Sequence, residues 1–170
     1  MKKSTLAALA ALVMVCVVVC AGCNATEAAQ RAQSVIAAVL NIAQAEEAAL
    51  PPSDAAVLTP WVSAGETLNG QLSSCIAGAT AAGSKKSAFL ACFNTFAQGL
   101  FSPTELSQLR VLSPGTQKKV QLWVTAISVG LNVAIPAFGG TEVTPPTLGA
   151  VPSAAELRGF ARRIGVAYGY

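Results

Sequence analysis

The sequence predicts an all-α protein: a helical bundle of about four principal helices plus two short ones, following an N-terminal signal peptide. Three observations predict it. Apolar residues recur three and four positions apart over several long stretches, the spacing of one face of a helix. Those stretches are bounded by helix signals, among them Pro51-Pro52, Ser102-Pro103-Thr104-Glu105 and Ser153-Ala154-Ala155-Glu156. Alanine is abundant and charged residues make up only 11% of the chain, which suits helices packed closely through small side chains.

The first helix is expected from Asn24 to Leu50. Ala28, Ala32, Val35, Val39 and Ile42 form its apolar stripe, and Ile36, Leu40 and Ala43 widen it. Glu27 suits the positive end of the helix dipole, and Pro51-Pro52 ends the helix. A second helix runs to Ala82 from Ser53 or Thr59. Thr59-Pro60 reads as an N-cap followed by proline at the first helical position, with a short turn before it. Trp61, Gly65, Leu68, Leu72, Cys75 and Ala79 mark its inner face. Gly65, Gly70 and Gly78 read as points of close approach, and Gly83 as the stop.

The third helix, Lys85 to Leu100, carries Phe89, Cys92, Phe93, Phe96 and Leu100 on one side. That stripe reads as bundle core, the other reading being the lining of a ligand groove. The capping box Ser102-Glu105 opens a short helix, stopped by Ser113-Pro114-Gly115. Ser113 then caps a long helix that ends at or before Pro136.

Residues Val120 to Thr141 carry no charge. Their hydropathy alone nominates a membrane span, and their local alternation nominates strands. Gln121, Thr125, Ser128 and Asn132 decide against both, because their spacings of four, three and four draw a polar seam along one side of a helix. The seam reads as a solvent-facing line, with a small polar pocket as the other reading. From Phe138 to Pro152 the glycines and prolines indicate a linker or strap. Ser153 to Glu156 opens a last short helix with Leu157, Phe160, Ala161 and Ile164 on one face, Arg162-Arg163 near its negative end and an aromatic tail to Tyr170. The chain thus divides into 1–22, 23–137, 138–152 and 153–170.

The first stretch concerns location. Lys2-Lys3 precede an uncharged run from Leu6 to Cys20, too short to span a bilayer comfortably, and then Cys20-Ala21-Gly22-Cys23. This resembles the signal peptide of bacterial lipoprotein precursors, in which a lipobox is cut before a cysteine that is joined to diacylglycerol. Ala21, Gly22 and Cys23 match the last three lipobox positions, and Cys20 stands where the family usually has Leu. The resemblance implies lipidation at Cys23 and anchoring to the lipid bilayer on the extracytoplasmic face of the cell envelope. Cleavage by the ordinary signal peptidase, giving a soluble secreted protein, and retention as an uncut anchor stay open. The resemblance covers residues 1–23 and no family is recognised for 24–170.

Removing residues 1–22 takes Lys2 and Lys3 with it and leaves nine basic against eight acidic groups, so no electrostatic case for nucleic acid survives. In an oxidising compartment Cys75 and Cys92 are the thiols left over. They lie about eight residues to either side of a turn at Gly83-Ser84, which favours a disulfide between them. The chain has no histidine, hence neither the commonest general base nor the commonest transition-metal ligand. Glu46-Glu47 diverge by about 100° on a helix and make no catalytic pair. Lys85-Lys86 and Lys118-Lys119 read as solvated doublets, contact with anionic head groups being the other reading. No catalytic, cofactor-binding or metal residue is assigned, and no cofactor is expected. The function expected is binding or structural, with an envelope protein partner. The alternatives are a toxin- or lysis-like protein inserting the helix at 120–138, a soluble secreted helical protein, and an enzyme built on Ser or Glu.

Overall fold

A computed structural model describes residues 24–149 and 152–168. The signal-peptide and lipidation expectations for residues 1–23, Cys23 included, lie outside the described residues. The described chain forms α1 (Ala25–Glu47), α2 (Pro52–Ala81), α3 (Lys86–Leu100), α4 (Pro103–Leu109), α5 (Pro114–Ala137) and α6 (Ala154–Tyr168), with no strand among the described residues. It is an all-α bundle.

Two ends can be told apart by their contacts. At one, α1 begins beside the α2–α3 turn, where the hydroxyls of Thr26 and Ser84 are 2.9 Å apart. Phe138, just past α5, stacks with Phe89 and Phe93 near the start of α3. At the other end, Asp54 in the first turn of α2 binds the start of α5, and α6 bridges Glu46 of α1 and Lys118 of α5. Helices α1 and α2 are therefore antiparallel, as are α1 and α5.

The core is one continuous cluster. Ala29, Ala32, Ile36, Val39, Leu40 and Ala43 bring α1 into it, whereas Ala28, Val35 and Ile42 sit only half-buried on its flank. The stripe read from sequence is thus rotated by about one position, because α1 is contacted by α2 and α5 from two sides. Trp61 and Trp123 are fully buried, and neither indole N–H has a hydrogen-bond partner. Phe89, Phe93 and Phe96 are buried side chains of the core.

Three local expectations are corrected. Helix α2 does not restart at Thr59: it runs unbroken from Pro52, with Pro60 inside. Pro60 and Ala56 are both exposed, so the proline ring and the carbonyl it leaves without a donor face water, while Leu58 beside them is fully buried. Packing holds the helix across the proline, and the Thr59 hydroxyl bonds back to the Ala55 carbonyl instead of capping. Helix α5 likewise passes through Pro136, which one residue from the end removes one hydrogen bond only. Of the three glycines in α2, only Gly65 marks a close approach: an added Cβ would come within 2.7 Å of Leu40, whereas nothing lies within 4 Å of Gly70 or Gly78.

The two turns that fix the chain direction are built on backbone geometry. Gly83 and Ser84 both have positive φ, at 96° and 57°, and Ser84 N–H reaches back to the Ala79 carbonyl at 2.9 Å. After α5, Gly139 at φ 89° lets Gly140 N–H bond the Ile135 carbonyl at 2.9 Å. An added Cβ at Gly140 would come within 2.6 Å of both Leu90 and Ile135, so any side chain there would force these neighbours to shift where the chain turns back along the bundle.

Candidate functional site

The polar seam of α5 is where the structure departs furthest from the sequence reading. Gln121 and Ser128 are buried, at 4% and 1% exposure, so the seam is no solvent-facing line. It is the track on which residues 141–149 are held. The Asn132 carboxamide donates to the Val143 carbonyl (2.9 Å) and accepts from the Val143 N–H (2.6 Å). Gln121 donates to the Pro146 carbonyl (3.1 Å) and accepts from the Leu148 N–H (2.6 Å). Thr125 and Ser128 turn their hydroxyls onto their own helix, at the Gln121 and Val124 carbonyls.

The spacing explains the register. Eleven helical residues from Gln121 to Asn132 rise about 16 Å. Five residues from Val143 to Leu148 reach about the same when extended. The strap therefore lies nearly straight and antiparallel to α5. Its prolines fit this arrangement, since Pro145 and Pro146 are asked for no N–H and Pro146 only accepts. Leu148 ends the strap as a buried side chain.

Beside the strap, a shallow groove of about 320 Å³ runs between α3 and residues 141–146, lined by Asn94, Gln98, Phe101, Glu142 and Thr144 among others. Its walls mix amides and hydroxyls (Asn94, Gln98, Thr141, Thr144) with apolar side chains (Ala97, Phe101, Val143, Pro146), and Glu142 is the charged member. A smaller apolar cleft of about 120 Å³ adjoins the cysteine pair, between Leu68, Leu72 and Phe96. Cys75 and Cys92 stand at disulfide distance with Cα atoms 5.7 Å apart, joining α2 to α3. Cys92 is buried, and Cys75 is exposed at the margin of its helix rather than on the inward stripe.

The ionisable groups are few and structural in their settings. Asp54, 6% exposed, accepts from the Ser113 hydroxyl, the Thr116 hydroxyl (2.6 Å) and the Ser113 N–H (3.2 Å). The Ser113 and Thr116 hydroxyls hold its carboxyl below the ordinary value against the opposing effect of burial. Ser113 therefore occupies the N-cap position of α5 without capping through its side chain. Its hydroxyl serves Asp54, a partner 59 residues away that no local spacing reveals. Glu156 closes a reciprocal capping box with Ser153 and pairs with Lys118 at 2.7 Å. Lys118 first, then Ser153, lowers its carboxyl to about 2. Arg163 lies over the buried Phe160 ring and pairs with Glu46. Glu46 and Glu47 thus go separate ways, Glu47 taking the Thr59 hydroxyl.

Among the described residues, no three Cys, Asp or Glu side chains gather as they would around a metal ion. No protein-family model, no curated protein and no solved structure matches the chain.

Proposed function

We propose that the protein is a lipid-anchored component of a bacterial cell envelope, tethered through Cys23 and acting by binding or as a structural part. One observation carries this reading: the charged start, the short apolar run and Ala21-Gly22-Cys23, in the order a lipoprotein signal peptide requires. Three features support it. Helix α1 is capped at Asn24, whose side chain accepts from the Glu27 N–H at 2.9 Å, so the folded body starts one residue after the proposed tether. The Cys75–Cys92 pair suits an oxidising compartment. The groove along the strap offers neutral hydrogen-bonding side chains and no nucleophile activated by a base, which suits recognition more than chemistry.

Membrane fractionation with the full chain tests the tether. The protein is expected in the membrane fraction, resistant to salt and carbonate washing, and labelled by radioactive palmitate, and a Cys23→Ser variant is expected to lose the label. A wild-type protein recovered wholly in the soluble fraction would overturn the reading.

A second reading rests on α5, the one helix among the described residues long and apolar enough to cross a membrane. In this fold, 67% of its most apolar window is buried inside the bundle. Insertion would require α5 to leave α1, α3 and the strap, breaking the Asn132 and Gln121 bonds. A membrane-inserting protein would release dye from liposomes; the bundle is expected to leave them sealed.

A further inference from the structure

We propose that the end of the bundle where α1 begins is a membrane-facing surface, and that Lys85 and Lys86 there contact the head groups of an anionic phospholipid bilayer. The inference rests on the reading of Cys23 as the lipidated residue.

The geometry begins with the chain exit. Asn24 caps α1 directly, and one residue spans at most about 3.6 Å, so a lipid on Cys23 has no spacer with which to hold the body away from the bilayer. What stands beside that exit is fixed. Thr26, in the first turn of α1, meets Ser84 at 2.9 Å across 58 residues of sequence. Ser84 in turn is held at positive φ by its bond to Ala79. Lys85 and Lys86 follow it at once, both exposed, and Lys86 opens α3. Neither takes part in the ion pairs Arg31–Glu27, Lys118–Glu156 and Arg163–Glu46. Glu27, in the first turn of α1, is engaged by Arg31 at 2.6 Å, and the exposed Glu142 follows Phe138 by four residues.

A lysine pair fastened beside the tether lies within one Debye length of the bilayer, about 10 Å at 0.1 M salt, and is drawn to negative charge there. Each such lysine is expected to favour the anionic surface about fivefold. The other doublet, Lys118-Lys119, stands at the opposite end of α1, roughly 34 Å away along a 23-residue helix, and serves as an internal control.

The experiment uses the full chain, processed in cells, purified from membranes and reconstituted into vesicles of pure phosphatidylcholine or of phosphatidylcholine with phosphatidylglycerol. Mass spectrometry first weighs the N-terminal peptide, then follows acetylation of each lysine by an amine-reactive ester. The expected result is severalfold slower labelling of Lys85 and Lys86 on the anionic vesicles, restored by 0.5 M salt (about a 4 Å Debye length), with Lys119 unchanged. Equal labelling of Lys85 and Lys86 on the two vesicles, with Cys23 acylated, would overturn this inference and leave the lipoprotein reading standing. Slowing at Lys119 in their place would put the wrong end at the membrane. An unmodified Cys23 would remove the lipoprotein reading, and this inference with it.

Discussion

Asn132 and Gln121 each spend both halves of a carboxamide on the strap backbone, and this sets what replacing them should do. Leucine at 132 would leave the Val143 N–H and carbonyl without partners in a half-buried position. Asn132→Leu is therefore expected to destabilise the fold by about 1–2 kcal/mol in urea unfolding, and to expose the strap amides to hydrogen exchange. An unchanged midpoint with a protected strap would show that the two bonds hold nothing. The seam itself was legible, since four polar residues at helical spacing stand out in an uncharged segment. Its direction was not. Whether a polar line meets water or a returning strand of backbone depends on where residues 141–149 go, and no local pattern in α5 encodes that. The Asp54 site is the same kind of case: an acidic residue in a first turn reads as a dipole partner, and its three donors arrive from α5 and its approach.

Helix boundaries depended on a similar balance between local and tertiary effects. Stops at Pro51-Pro52, Ser102-Pro103 and Gly83 were readable because the neighbouring residues also leave the helix there. Pro60 departs from the local rule that proline starts or breaks a helix, because the buried Leu58 and Trp61 on either side keep α2 whole. The glycines of α2 turn on the same distinction. Gly70→Ala and Gly78→Ala gain helix propensity in open space and should each raise stability by about 0.5–1 kcal/mol. Gly65→Ala should lower it, because its methyl meets the buried Leu40 at 2.7 Å. Thermal unfolding of the three variants checks this, and the same shift in all three would refute the packing assigned to Gly65. Helix α6 responds to acid. A carboxyl lowered from an ordinary 4.5 to about 2 contributes stability that is full above 4.5 and lost as pH falls toward 2. Asp54, also lowered, has the same sign, and its contribution is lost below the ordinary 3.8. The unfolding temperature should therefore drop between pH 5 and 3 (bracketing Glu156's ordinary value and approaching its lowered one), and Glu156→Gln should make that drop smaller. No dependence on pH in this window would contradict the role given to Lys118 and Ser153.

At the scale of the molecule, the all-α class was legible because one periodicity runs through most of the chain and capping signals separate its parts. The arrangement of the strap was legible only as a composition of glycine and proline. The chain carries few charges and no histidine, and residues 23–170 hold nine basic against eight acidic groups. These properties are coherent for a body whose place is set by a tether. Under the proposed tether, the charged turn beside Asn24 would meet the membrane, and the groove along α3 and the strap would be left free for a partner. Everything in this picture depends on the residue that precedes Asn24. The most direct measurement is the mass of the N-terminal peptide of the protein purified from membranes. It should begin at Cys23 and carry a thioether-linked diacylglycerol. A chain beginning elsewhere, or a Cys23 with a free or disulfide-bonded thiol, would contradict the tether and the function proposed from it.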